Sequence, residues 1–226
     1  MASLVSALIP AAPVHAVPIF TDRAAWEALV SPTANVGIPL ANGTILSAGS
    51  PLSLPSGTTL IFDQNLTAYE VGVGWGTWSG GLSGFPVLAA ETDDPGAAVS
   101  VDATFSSPRQ AFGLEVQPKD FDLWRLELTL SDGTIQSLTV DGFGGAQFVG
   151  WISDDPTQVT AMRIVSEAGA LGFAVGRMAE GTVAVPDGGS TLAFCILSFG
   201  LFAAFRWKRF TGRSPAPRPW LPAICD

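Results

Sequence analysis

The fold of this chain is decided by the stretch Trp124-Arg125-Leu126-Glu127-Leu128-Thr129-Leu130-Ser131-Asp132-Gly133-Thr134-Ile135-Gln136-Ser137-Leu138-Thr139-Val140. Apolar and polar residues alternate in both halves, which is the two-residue period of a strand with one buried face. The Asp-Gly pair between the halves favours a tight turn. The stretch therefore predicts a β-hairpin with one face in water. The buried face of its first strand contains Trp124, Leu126, Leu128 and Leu130.

Similar runs continue on both sides of this hairpin through residues 17–184. They are short, apolar or alternating, and separated by Gly, Pro, Asn and Asp, which are typical of turns. So many short strands predict a mainly β protein, specifically a jelly-roll-like antiparallel β-sandwich. The strand candidates are Thr58–Phe62, Ala98–Phe105, Ala111–Val116, Trp124–Leu130, Thr134–Val140, Ala146–Ile152, Gln158–Val165 and Leu171–Met178.

One short helix is expected near the start of this region. Thr21 is the expected N-cap, and Asp22 would lie in the first turn, where a negative charge is stabilised. The helix would end before Pro32. Its buried face would consist of Trp26, Leu29 and Val30.

Charge and reactive side chains limit the function of this domain. Residues 17–185 contain 18 acidic and 6 basic residues, whereas residues 186–226 contain 2 acidic and 5 basic residues. The acidic part is predicted not to bind nucleic acid, whose phosphates require a basic surface. It contains neither Cys nor His, because these residues occur only at Cys195, Cys225 and His15. Ser-His-Asp, Cys-His and ordinary zinc sites are therefore excluded, and we predict a protein without enzymatic activity or cofactor.

Carboxylate chemistry remains as an alternative. A glycosidase needs two carboxylates at the right separation, and calcium takes oxygen ligands from loops. Turn-forming residues adjoin each acidic pair, so the favoured interpretation is that these carboxylates cap and solvate turns. The pairs are Asp93-Asp94, Asp120 with Asp122, and Asp154-Asp155. The segments that could supply part of a Ca²⁺ shell are Glu91–Gly96 and Lys119–Asp122, and neither has EF-hand spacing.

The Gly-rich segment of residues 72–81 is the candidate ligand site. Trp75 and Trp78 could present flat faces to sugar rings, and Thr77 adds a hydroxyl group. The competing interpretation is that the rings pack into the core or its rim. A spacing of three residues would place the two rings on opposite faces of an extended segment, so that one of them is buried.

The C-terminal region has three parts in a fixed order. Val185-Pro186-Asp187-Gly188-Gly189-Ser190 precedes an uncharged run over residues 191–205, which precedes Arg206, Lys208 and Arg209. As a helix, residues 191–205 would be about 22 Å long, against about 30 Å for a bilayer core. The basic cluster would hold the following end in the cytoplasm. A core helix of a soluble domain is the alternative interpretation.

This order resembles the C-terminal sorting signal of PEP-CTERM proteins, specifically the VPDSG-CTERM variant. Gly188 stands where that variant has Ser, and the Pro-rich tail of residues 210–226 is longer than such signals usually have. The resemblance implies processing by an exosortase, transit through the inner membrane, and a final location at the cell surface or in the extracellular matrix. Exopolysaccharide is then a candidate partner.

Residues 1–16 agree with export. Their apolar stretch ends in Val14-His15-Ala16, which suits signal peptidase cleavage, although a basic n-region is lacking. A disordered apolar N-terminus is the alternative interpretation.

The predicted ectodomain, residues 17–184, also resembles PEP-CTERM ectodomains. These are predicted β-sandwiches, and the likeness implies an architecture similar to carbohydrate-binding jelly rolls. The departure is at Gly176-Arg177-Met178, where an Asp-containing ending is expected, and this lowers the expectation of a metal site. The resemblance rests on residues 20–26, 112–116, 148–153 and 172–175.

Together these features predict an exported, sorted protein of the cell envelope or matrix with a structural or adhesive role. The predicted order is a signal peptide (1–16), a β-sandwich (17–184), a sorting signal (185–209) with a transmembrane helix (191–205), and a tail (210–226). One alternative is a polysaccharide-binding module that uses Trp75 or Trp78. A carboxylate-dependent glycosidase is the other.

Overall fold

Two antiparallel β-sheets stack face to face in the computed structural model, which describes residues 17–153 and 159–183, with backbone only for residues 32–36. The predicted β-sandwich is confirmed. In chain order the elements are β1 (Ile19–Phe20), α1 (Arg23–Glu27), β2 (Val30–Val36), β3 (Ile45–Leu46), β4 (Pro51–Ser53), β5 (Thr59–Phe62), β6 (Leu66–Glu70), a 3-10 turn (Ser79–Gly81), β7 (Pro86–Glu91), β8 (Ser100–Phe105), β9 (Ala111–Pro118), β10 (Leu123–Leu130), β11 (Ile135–Asp141), β12 (Gln147–Ile152), β13 (Ala161–Ser166) and β14 (Gly172–Val183).

The larger sheet has eight strands and the smaller sheet has six. In the larger sheet the order is β1-β12-β9-β14-β7-β6-β3, and β2 also pairs with β14. The smaller sheet has the order β11-β10-β13-β8-β5-β4. Strands far apart in the chain are therefore neighbours, and β14 is a central strand of the larger sheet.

The β10–β11 hairpin forms as its alternation predicts. Leu126 lies opposite Leu138, and both side chains are buried between the sheets. The Leu130 N–H donates to the Thr134 carbonyl at 2.8 Å, and Gly133 takes a φ of +89° to close the turn. The polar face of the hairpin is open to solvent, as predicted.

The helix is shorter than its apolar pattern suggests. Its N-cap is Asp22, one residue after the predicted Thr21, because the Asp22 carboxylate accepts the Ala24 N–H at 2.8 Å. Trp26 is buried as expected. However, the helical face predicted to include Leu29 and Val30 does not form. Leu29 is exposed, and Val30 begins β2, whose backbone pairs with β14.

Apolar side chains are buried on both faces of the larger sheet. The core between the sheets contains Leu114 of β9, Leu128 of β10 and Phe173 of β14. On the outer face, Trp26 of α1 packs against Phe148 with ring centroids 5.7 Å apart. Residues 71–85, here called the Trp loop, cover another part of that face.

Several predicted features lie outside the described residues. They are the signal peptide (1–16), the Asp154-Asp155 pair, the motif of residues 185–190, the apolar run of residues 191–205, the basic cluster and the tail. Within residues 17–153 and 159–183, no helix is long and apolar enough to cross a membrane.

Candidate functional site

Both indole rings of the candidate ligand site are buried. Trp75 is 5% exposed and Trp78 is 1% exposed, and they belong to one apolar cluster under the Trp loop. The rings pack edge-on or tilted against aromatic neighbours. The ring centroids of Trp78 and Phe85 are 5.7 Å apart. The packing interpretation therefore describes both residues. The expected opposite orientation is wrong, because both rings join one cluster and the segment between them, Gly76 and Thr77, forms no strand. Sugar contact by either residue stays a prediction.

A buried carboxylate explains the position of Trp78. The Trp78 Nε1–H donates to Glu115 Oε2 at 2.7 Å, and Glu115 is a residue of β9 that is only 4% exposed. Its other oxygen, Oε1, lies 2.7 Å from Arg177 Nη1 and 3.1 Å from Arg23 Nε. We call these four residues the Glu115 network. A buried carboxylate requires such partners, since charge-assisted hydrogen bonds offset the loss of water.

The geometry of β14 brings Arg177 into this network. The pairing of β14 with β9 shifts register between Gly176 and Ala179, which marks a β-bulge. Arg177 lies in the bulge with a φ of +43°, a left-handed conformation that is unfavourable for a non-glycine residue. The Arg23 Nη2–H donates to the Arg177 carbonyl at 2.5 Å, so a residue of α1 supports the bulge. The network thus joins α1, β9, β14 and the Trp loop.

A cleft of about 190 Å³ opens beside the Trp loop. Its lining combines apolar and polar side chains, including Trp75, Thr77, Glu91, Gln117, Lys119 and Phe121. A second, shallower cleft of about 290 Å³ is lined by Thr77, Trp78, Leu82 and Phe143. Thr77 and Gly76 line both clefts.

Hydrogen bonds lock the loops that form these clefts. Gln117 is 1% exposed, and its Nε2 donates to the Gly142 carbonyl at 2.5 Å and to Thr77 Oγ1 at 3.0 Å. The Gly144 N–H also donates to Thr77 Oγ1, at 3.0 Å. Gly142 approaches the neighbouring loop so closely that an added Cβ would lie 1.8 Å from the Asp120 carbonyl oxygen. Three loops are therefore fixed relative to one another.

An ion pair forms one wall of the first cleft. Lys119 Nζ lies 3.1 Å from Glu91 Oε1, and the Tyr69 hydroxyl donates to Glu91 Oε2 at 2.8 Å. The hydrogen bond to Glu91 raises the pKa of Tyr69 above its ordinary value of 10.0, and partial burial adds to the increase. Glu91 and Lys119 are the first residues of the two segments considered for Ca²⁺, and their charges thus neutralise each other.

Two acidic residues of these segments, Asp94 and Asp122, bond to nearby backbone N–H groups, in line with the favoured interpretation. Asp94 Oδ1 accepts the Gly96 N–H at 2.8 Å, and Asp122 Oδ1 accepts the Leu123 N–H at 2.7 Å. Among the described residues, no group of three or more His, Cys, Asp or Glu side chains is placed to hold a metal ion. Binding of Ca²⁺ stays a prediction.

Two exposed phenylalanines lie at the rim of the clefts. Phe121 is 62% exposed and Phe143 is 68% exposed, and their ring centroids are 5.5 Å apart with an interplanar angle of 87°. We call this pair the Phe platform. It was not recognised from the sequence, although an aromatic residue between turn-forming Asp or Gly residues is a signal for such a surface.

Comparisons with known proteins give no family for the chain. No family model and no curated protein matches it. Among solved structures, one match is to a chain from the structural analysis of an exo-beta-agarase, with 10% sequence identity and a TM-score of 0.37. The match covers 66% of this chain and 25% of that one, so this chain spans about a quarter of the neighbour's length. A likeness at this level supports no argument about function.

Proposed function

We propose that this chain is an exported, non-enzymatic β-sandwich protein with a structural or adhesive role at the cell surface or in the extracellular matrix. The single observation that carries the proposal is the sequence of the C-terminal region, in which the motif of residues 185–190 precedes the apolar run and the basic cluster. An exosortase-type enzyme would process this region while the apolar run holds the chain in the inner membrane.

The described carboxylates support a non-enzymatic role. Glu115 is buried and held by two guanidinium groups, and Glu91 is paired with Lys119. A glycosidase would need a second carboxylate facing Glu91 across the cleft, at about 5 to 9 Å. Among the described residues that line this cleft, Glu91 is the carboxylate. The glycosidase alternative has no specific observation in its favour.

Intact mass and subcellular fractionation test the proposal in a host that contains the processing enzyme. The wild-type protein should lose its C-terminal segment and reach the surface or matrix. A variant with Pro186→Ala and Asp187→Ala should accumulate at full length in the inner membrane. Pro217→Ala, in the tail outside the motif, is the matched control and should be processed like the wild type.

Two results would overturn the proposal. One is full-length wild-type protein in the cytoplasm, because the apolar run would then not act in membrane sorting. The other is equal processing of the motif variant and the tail variant, because recognition would then not depend on residues 185–190.

A further inference from the structure

The Phe platform is exposed to a degree that packing does not explain. Phe121 and Phe143 contact each other, but most of each side chain remains in water. Leu82, at the second cleft, is 42% exposed. Large apolar side chains gathered at one exposed place are typical of a binding surface, whereas singly scattered ones are ordinary.

The platform belongs to both clefts, which makes one extended surface. Phe121 lines the first cleft and Phe143 lines the second, and Thr77 contributes to both. A surface that extends over both clefts suits a ligand with several consecutive units better than a single small molecule. The locked loops make it preformed, which reduces the entropy lost on binding.

Polar groups of the first cleft are suited to hydroxyl groups. Lys119 offers donors and Glu91 offers acceptors, side by side in one ion pair. Gln117 lines the same cleft, and its buried Oε1 has no hydrogen-bond donor among the described residues. Its orientation is fixed, because the opposite assignment would place Oε1 against the Gly142 carbonyl oxygen. Since Oε1 is closed to solvent, Gln117 supports the site by holding Thr77 and the turn at Gly142 in place.

Charge around the platform distinguishes between ligands. The Glu91–Lys119 pair is neutral overall, and the loops that hold the two phenylalanines also contain Asp120, Asp122 and Asp141. Negative charge at the rim disfavours uronate or sulfated polymers, because like charges repel. A neutral ligand with apolar C–H faces and many hydroxyl groups remains.

We infer that the Phe platform and the adjoining cleft bind a neutral polysaccharide. A pyranose ring stacks on Phe121, the next units follow the surface to Phe143, and hydroxyl groups of the sugar bind Lys119 and Glu91. This assigns the aromatic contact to the two phenylalanines, not to the buried Trp75 and Trp78. The inference deepens the adhesive role proposed above. It rests on that proposal, because the location at the cell surface or in the matrix would bring the protein to the polymer.

Calorimetric titration of the purified full chain tests this inference. The chain is kept in a detergent without sugar groups, since a glycosidic detergent would compete for the site. The probes are cellohexaose, laminarihexaose, maltohexaose and mannohexaose as neutral oligosaccharides, with hexagalacturonate as the acidic comparison. At least one neutral hexamer should bind saturably, and hexagalacturonate should bind more weakly than that hexamer.

Matched variants locate the site. Phe121→Ala and Phe143→Ala should each weaken binding by about tenfold, the loss of one aromatic stacking contact. Ile135→Ala is the control, because Ile135 is 61% exposed on the smaller sheet and should not affect binding. Both Phe variants should keep the wild-type thermal unfolding midpoint, since their side chains are mostly in water.

Three results would overturn the inference: no binding of any neutral hexamer, stronger binding of hexagalacturonate, or equal effects of Phe121→Ala and Ile135→Ala. Its failure can be told apart from failure of the sorting proposal. Phe121→Ala should be processed and located like the wild type, whereas the purified Pro186→Ala, Asp187→Ala variant should bind sugar normally.

Discussion

The outer faces of the two sheets use the same charged residue types in different surroundings. On the smaller sheet, Arg163 Nη2 lies 2.6 Å from Asp102 Oδ2, and both side chains are open to water. On the larger sheet, α1 and the Trp loop cover the face, and the ion pairs of Glu115 are largely buried. Water screens the exposed Arg163–Asp102 pair and can hydrogen-bond to one residue when the other is removed. It cannot do this for the buried ion pairs of Glu115. Burial, not the number of ion pairs, should therefore decide which face holds the fold together.

Removal of the buried carboxylate should have the largest effect. Glu115→Ala removes an acceptor shared by two guanidinium groups and an indole N–H, and Arg23 then keeps its contacts with the Arg177 carbonyl and Glu27. The loss should lower the free energy of unfolding by about 3–5 kcal/mol. Asp102→Ala, on the smaller sheet, should leave the unfolding midpoint almost unchanged. Urea unfolding followed by tryptophan fluorescence measures both. Similar losses in the free energy of unfolding for Glu115→Ala and Asp102→Ala would contradict the proposed difference between the buried and the exposed face.

A glycine of the locked loops and a glycine of the exposed hairpin turn should differ in the same direction. Gly142→Ala places a Cβ 1.8 Å from the Asp120 carbonyl oxygen, so the backbone must move. We expect a loss of about 2 kcal/mol or more from this overlap. Gly133→Ala, in the hairpin of the smaller sheet, meets no atom within 4 Å and should cost about 1 kcal/mol through its φ of +89° alone. Thermal unfolding compares them, and an equal or larger loss for Gly133→Ala would contradict the locked loops.

The smallest expected effect is on the pH dependence of stability, where Asp102 and Tyr69 should contribute with opposite signs. The hydrogen bond from Arg163 lowers the pKa of Asp102. The contribution of Asp102 to the free energy of unfolding is therefore present above pH 3.8 and is lost as pH falls through the folded pKa. The pKa of Tyr69 is raised, so its contribution is complete below pH 10.0 and is lost as pH rises through the folded pKa.

Tyr69 can be observed directly, because the chain contains one tyrosine. Tyrosinate absorbance should give a midpoint above 10.0 in the folded protein, and Glu91→Gln should lower that midpoint because it removes the negative acceptor. A Tyr69 midpoint that does not change in Glu91→Gln would show that the wall of the cleft is not arranged as described.

The sequence predicts the sheets where side-chain alternation is strong. The β10–β11 hairpin and the other six candidate runs all overlap observed strands, because alternating or continuous apolar runs bounded by turn residues are local properties of the sequence. β1, β3 and β4 have two or three residues and no usable period. β2 contains Pro32 and Asn35, which indicate a turn, yet backbone pairing with β14 makes it a strand.

The site could be predicted less well than the fold. The sequence predicts a ligand site in the Gly-rich segment around Trp75 and Trp78, but both rings are buried, and the Trp78 indole bonds to Glu115, which is distant in sequence. The Phe platform likewise depends on two turns that meet only in three dimensions. Such juxtapositions result from strand order, which short-range patterns do not contain.

The strand order of the larger sheet also fixes when the protein can fold during its synthesis. β1 pairs with β12, and β2, β7 and β9 all pair with β14, the last described strand to leave the ribosome. The sandwich cannot close until nearly the whole domain has been translated. Under the export proposed above, a chain that stays open this long would remain threadable through a secretion channel, and it would complete its central sheet only after the C-terminal strand had followed the rest across.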